Sequence, residues 1–299
     1  MPLLIAFLAL TSVMLAGAAN ALERNDNTTA LLWNTPANKA TCTQPTSALW
    51  VEFGSGQACI RYFAGAAPSR APVVIVMFHG DRNIEMHRAP EAIQGNTLAA
   101  KVRQAAAMTR RVGVPVVIMA RPGTYGSSGN HGQRRQAQEF LALNAALDDL
   151  RQRYGIGQFV LLGHSGGATV TAALLTLGRT DVKCAVMTSG AFDLVQRAQM
   201  IRQSRGLPSR PGRDTNGLLN PYDPGQHIDG IKKVPGRELF IIGNPDDQIA
   251  PFSLQQGFYN ALKRAGHEPR LIKAAAVPPA NHQLRNDIGL KTAAGCAKD

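Results

Sequence analysis

Aromatic residues make up only 6% of this 299-residue chain, and no basic stretch is interleaved with them. Nucleic-acid binding, which needs stacking platforms beside cationic side chains, is therefore not expected. The formal charge is nonetheless +12, from 32 basic and 20 acidic residues. That balance leaves an anionic envelope surface or an acidic substrate as partners to weigh. The patterns G-x-G-x-x-G, P-loop and H-E-x-x-H are all missing, so no nucleotide or zinc chemistry and no cofactor are expected. None of the four cysteines forms a C-x-x-C pair, which argues against a metal or redox site. No apolar run approaches the ~20 residues of a membrane-spanning helix.

The longest apolar run, residues 3–15, lies at the N-terminus and is followed by small residues ending in Ala19-Asn20-Ala21. This reads as the core and A-x-A cleavage signature of a secretory signal, although no Lys or Arg precedes it. No Cys follows the run to accept a lipid, and no twin Arg stands before it. Cleavage after Ala21 is expected, giving an exported protein, periplasmic or secreted, without a stable membrane anchor. An uncleaved apolar anchor is the alternative. Cys42, Cys59, Cys184 and Cys296 form an even set, which in an exported chain favours disulfides in one of three connectivities. Cys42 and Cys59 flank the start of an expected hairpin and are the preferred pair. Cys184 with Cys296 would then tie the tail to the sheet, buried free thiols being the other option.

Residues 49–53 and 59–63 read as paired strands around Gly54-Ser55-Gly56. Unbroken apolar runs follow at 73–78, 114–119, 159–162, 182–187 and 239–242. Lacking polar alternation, they suit strands covered on both faces. Helical patterns occupy 98–111, 133–154, 168–177 and 252–265. Strand alternating with helix predicts βαβ units and a mainly parallel sheet in one α/β domain over residues 22–299. Residues 194–236 break the rhythm as a Pro- and Gly-containing insertion with Arg197, Arg202, Arg205, Arg210 and Arg213. It is either a solvated excursion or a small cap over a site.

Gly163-His164-Ser165-Gly166-Gly167 satisfies G-x-S-x-G between an expected strand and an expected helix. A turn that tight strains the central residue, requires small neighbours, and aims N–H groups at a helix N-terminus where an oxyanion would be stabilised. A serine hydroxyl needs a base to remove its proton and an acid to orient that base. After the next-to-last expected strand come Gly243-Asn244-Pro245-Asp246-Asp247-Gln248-Ile249-Ala250-Pro251. This segment resembles the acid loop of the α/β-hydrolase family. There an Asp precedes two residues, one of them aliphatic, and often a Pro. The register selects Asp247; Asp246, one position off, and Asp193, after the preceding strand, stay open. His282 in Pro278-Pro279-Ala280-Asn281-His282 follows the expected last strand, residues 270–276, and resembles the family's terminal histidine loop. His267 reads as turn surface.

The resemblance extends to Phe78-His79-Gly80-Asp81, which is similar to the family's His-Gly loop, and to Arg121-Pro122-Gly123 with the glycines after it. It implies an oxyanion hole made by the backbone N–H groups of Gly166 and Asp81, with His79 holding its loop. A carboxylate beside such a hole departs from the family pattern. Asn220-Pro221-Tyr222-Asp223-Pro224 is closest in feel to the prolyl-oligopeptidase and dienelactone-hydrolase branches. What the resemblance implies is an α/β-hydrolase fold and a serine hydrolase using Ser165, Asp247 and His282. Its substrate would be a small-molecule carboxylic ester, with a short peptide as the main alternative. The arginines of the insertion raise the expectation of an anionic acyl or leaving group, to be probed at Arg202 and Arg205. A non-catalytic binding protein on the same fold is the competing class.

Overall fold

The computed structural model describes residues 28–43, 46–54 and 56–298, so the expected signal segment lies outside the described residues. One eight-stranded sheet runs through the molecule in the order β1-β2-β4-β3-β5-β6-β7-β8. β1 (Ala48–Phe53) and β2 (Gly56–Ala64) form the antiparallel edge, and β2 meets β4 (Val116–Met119) antiparallel. From there β3 (Val73–Phe78), β5 (Gln158–His164), β6 (Val182–Thr188), β7 (Glu238–Gly243) and β8 (Pro269–Lys273) are all parallel.

The apolar runs read as strands because both faces are covered. Val74, Val76, Phe78, Phe159, Leu161, Ala185, Met187 and Ile241 enter one core. Their alternate neighbours Ile75, Val160, Leu162, Cys184, Val186, Phe240 and Ile242 enter the other. The first core is roofed by α3 (Ala137–Tyr154) and α4 (Gly166–Thr176), the second by α2 (Leu98–Val112) and α7 (Ile288–Lys298). A short α1 (Lys39–Cys42) precedes the sheet, and α6 (Phe252–Arg264) lies between β7 and β8. Helix stops follow the sequence: Gly113 and Gly155 end α2 and α3 at φ 72° and 63°, a conformation that penalises a Cβ.

Several boundaries move for stated reasons. β4 begins at Val116, not residue 114, since Pro115 has no N–H for a ladder. α3 starts only at Ala137, because Arg135 sits at φ 66° and residues 131–133 form a separate 3-10 turn. β8 ends at Lys273 rather than residue 276, where its neighbour β7 also ends. The insertion opens with an unexpected helix, α5 (Leu194–Ser204), capped by the Asp193 side chain. Both expected disulfides form, Cys42–Cys59 and Cys184–Cys296; the second bolts α7 to β6. Among the described residues no helix is long and apolar enough to cross a membrane.

Candidate active site

Because β3, β5, β7 and β8 run parallel, the loops leaving their C-terminal ends collect at one edge of the sheet, the usual position for a site in such sheets. Those loops carry Asp81, Ser165, Asp247 and His282.

Ser165 joins β5 to α4 at φ 55°, ψ −120°. A non-glycine residue there carries strain of about 1–3 kcal/mol, held in place by its surroundings. The Ser165 N–H donates to the Thr188 carbonyl at 2.9 Å, and its own carbonyl accepts from Ala168 N–H at 3.0 Å. Although serine at a helix N-terminus normally caps it, this hydroxyl caps nothing. Glycines make the bend possible. A Cβ on Gly167 would press into the carbonyls of Phe78 and His79, and one on Gly163 into the backbone of Gly167. The β-carbon of Ser165 lies 3.2 Å from where Gly80 would carry its own.

Asp247 is 5% exposed. Its Oδ1 accepts from the N–H groups of Ile249 and Ala250 at 2.9 and 2.8 Å. The imidazole Nδ1 of His282 lies 2.8 Å from Oδ2 and 3.0 Å from Oδ1. With a carboxylate there, Nδ1 is the protonated nitrogen and Nε2 is left with its lone pair free. Asp246 is exposed, with its N–H turned to the Asn244 side chain, and Asp193 caps α5, so neither meets the histidine. The histidine loop is fastened around its ring: Ser189 Oγ donates to the His282 carbonyl at 2.7 Å, and Gln248 N–H to the Ala280 carbonyl at 3.0 Å. The His164 ring lies 4.9 Å from that of His282. Burial, and then the His282 ring, push the His164 imidazole down to about 4, so it stays uncharged.

Among the described residues no acceptor meets the backbone N–H of Gly166 or of Asp81. The Asp81 carboxylate packs against Gly166, where a Cβ would collide with its Oδ1, and is held there by a cluster of arginines. Arg121 Nη1 lies 3.0 Å from it and Arg134 Nε 3.4 Å, and Arg135 pairs with its other oxygen. Burial pushes this carboxyl up, but Arg135, Arg121 and Arg134 outweigh burial and hold it well below the ordinary carboxylate range. Arg121 is fully buried and bonds Glu139 at 2.7 Å. His79 Nδ1 donates to the Gly80 carbonyl at 2.7 Å, bracing the loop that carries Asp81.

Sequence reasoning passed over Arg134, Arg135, Glu139 and Ser189. None sits in a motif; the first three meet Asp81 and Arg121 from two other loops, and Ser189 meets the His282 loop from the end of β6. It also looked to Arg202 and Arg205 for an anion site. Arg205 is exposed and Arg202 donates to the Pro208 carbonyl; the buried arginine of α5 is Arg197. Beside Asp81 and the Gln248–Ile249 stretch opens a cleft of about 660 Å³. On the other side, His164 and Thr188 line a more apolar hollow of about 370 Å³ with Met77, Met108, Leu162 and Leu284.

A family described as the alpha/beta hydrolase fold matches residues 94–220. No curated protein matches. Among solved structures, the Pyrococcus furiosus esterase Pf2001 is 16% identical with a TM-score of 0.56, over 89% of this chain and 97% of its own. Est1E from Butyrivibrio proteoclasticus is 12% identical at 0.51, over 85% and 96%. A Mycobacterium tuberculosis puromycin-hydrolyzing peptidase is 17% identical at 0.54, over 84% of this chain but 37% of its own. At those identities the likeness is one of fold, and with the sheet order above it makes this chain a protein of the α/β-hydrolase fold.

Proposed function

We propose that this chain is an exported serine hydrolase that cleaves carboxylic esters, with Ser165 as nucleophile, His282 as base and Asp247 as the acid that orients it. The observation that carries this reading is the Asp247–His282 bond at 2.8 Å on the same sheet edge as an uncapping, strained Ser165. Neutral His282 takes the hydroxyl proton on Nε2 as Oγ bonds to the acyl carbon. The resulting oxyanion is met by the N–H groups of Gly166 and Asp81, at a helix N-terminus whose dipole favours negative charge. The tetrahedral adduct collapses, the acyl–oxygen bond to the alcohol breaks, and the alcohol leaves with the proton from Nε2. Water then attacks the acyl-enzyme, giving one proton to Nε2, and collapse returns that proton to Ser165 Oγ and frees the acid.

Esters are preferred to peptides because the esterase neighbours are covered almost end to end, at 97% and 96% of their length. The peptidase neighbour is covered over 37% and has a large remainder without counterpart here. We further propose that residues 1–21 are removed on export and that 22–299 form one domain; the two disulfides suit an oxidising compartment. A fluorophosphonate probe should label the parent protein and not Ser165→Ala. Turnover of p-nitrophenyl esters should exceed that of aminoacyl anilides. Labelling that survives Ser165→Ala dismisses the nucleophile. Faster anilide cleavage assigns a peptidase, and no labelling with no turnover leaves a binding protein.

A further inference from the structure

Four buried guanidiniums, Arg121, Arg134, Arg135 and Arg197, stand beside the site. Three carboxylates answer them: Glu139 pairs with Arg121, Asp214 with Arg135, and Asp81 is shared among Arg121, Arg134 and Arg135. Of the four, Arg197 alone touches none of these carboxylates. Arg197 is 6% exposed, donates to the Ile249 carbonyl at 3.0 Å and to Thr215 Oγ1 at 3.3 Å, and has no carboxylate within 4.0 Å among the described residues. A buried charge without an opposite partner is costly to hold. Burial, followed by the repulsion of Arg135, lowers its pKa to about 10, against the longer-range pull of Asp81 and Asp247.

Arg197 lines the 660 Å³ cleft, together with Arg134, Arg202, Asp81 and Ile249. Asn216 stands on the same wall, its Nδ2 buried and without a hydrogen-bond partner. The cleft borders both halves of the site, since Asp81 follows the histidine-glycine loop and Ile249 follows Asp247. Its two aspartates are already engaged, Asp81 by three arginines and Asp214 by Arg135 and backbone N–H groups. The remaining charged groups of the wall, Arg202, Arg205 and Arg210, add charge of the same sign as Arg197.

We propose that this cleft receives a carboxylate carried by the substrate, and that Arg197 is the residue that selects for it. A monoanion matches one guanidinium without an ion-pair contact, whereas a phosphate monoester would bring about −1.5 to −2. The proposal rests on the serine-hydrolase reading for its location, and places the acidic end of a half-ester on the α5 side of Ser165.

Mono-p-nitrophenyl adipate and p-nitrophenyl hexanoate have the same chain length and differ only in the terminal carboxylate. The parent protein should favour the adipate by tenfold or more in kcat/KM. Arg197→Gln should lower that ratio at least tenfold, and Arg197→Lys should restore part of it. A parent ratio at or below one, with succinate and suberate half-esters behaving alike, overturns the proposal without need of any variant. So does an Arg197→Gln protein, folded by its melting profile, whose ratio equals the parent's. Calorimetric titration of Ser165→Ala with monomethyl adipate, with and without Arg197→Gln, reads the anion site independently of turnover. Binding there, when the parent protein hydrolyses neither ester and resists fluorophosphonate, would sink the hydrolase reading and leave the cleft's assignment standing. Tighter binding of inorganic phosphate than of monomethyl adipate would overturn the carboxylate assignment.

Discussion

Replacing Asp247 by Asn changes one atom and should reverse a tautomer. Oδ1 of Asp247 accepts two backbone N–H bonds, from Ile249 and Ala250, so the amide oxygen of Asn must occupy that place. The amide nitrogen then takes the Oδ2 position, 2.8 Å from His282 Nδ1. Two donors cannot face each other, so Nδ1 gives up its proton and becomes the acceptor, and the proton moves to Nε2. An imidazole with Nε2 already protonated cannot accept from Ser165. The same exchange in enzymes with this constellation lowers kcat by about 10⁴, which is about 5 kcal/mol of transition-state stabilisation. Both backbone bonds survive, though weakened by loss of the charge, so folding stability should fall by only about 1 kcal/mol. The assay is kcat on a p-nitrophenyl ester beside a urea denaturation curve. Asp246→Asn, at an exposed position, is the control and should keep activity within about twofold. Asp247→Asn activity within tenfold of the parent, or a larger loss from Asp246→Asn, would refute the assignment.

Gly166→Ala should abolish activity and cost about 1–3 kcal/mol by overpacking, because its Cβ would stand 2.8 Å from Arg121 Nη1 and closer still to Asp81 Oδ1; a stable, fully active variant contradicts that packing. Stability should fall as pH drops below about 6.5. Burial above all holds His79, His131 and His164 uncharged in the folded chain, whereas the unfolded chain protonates them. The unfolded state then binds up to three more protons, so ΔG of unfolding loses up to about 4 kcal/mol per pH unit near pH 5, the His164 share ending near 4. An unchanged urea midpoint between about pH 8 and pH 5 would count against it. Replacing Cys184 and Cys296 by Ala should destabilise more than replacing Cys42 and Cys59. The bridges close separations of 112 and 17 residues, worth about 5 and about 3 kcal/mol in chain entropy. Equal losses, or a larger one at the short bridge, would show that native packing dominates instead.

The strand runs, the elbow and the acid-loop register were legible because each is local. Residues 159–162 announce a doubly covered strand by composition alone, and Gly163, Gly166 and Gly167 are small for contacts that any such bend imposes. Asp247 could be separated from Asp246 only by family register until the bond to His282 distinguished them. The arginine cluster was illegible for the opposite reason. Arg134 and Arg135 precede α3, Glu139 lies in its first turn, and Asp81 and Arg121 come from different strand ends. Nothing in one-dimensional spacing says that these charges will share a buried space. In the insertion, the Pro and Gly content downstream masked the helix that begins at Leu194, and with it the burial of Arg197 among five arginines that look alike in sequence.

The bridge from Cys296 to Cys184 also bears on timing. In a chain made from its N-terminus, the hydroxyl and the carboxylate exist well before the imidazole, which arrives only with the loop ahead of α7. That loop is then closed from behind by a helix covalently fastened to the strand next to Ser165. On the mechanism proposed above, proton transfer would wait on the tail: a molecule that has built its whole sheet but not docked its last helix would hold a nucleophile with nothing to activate it.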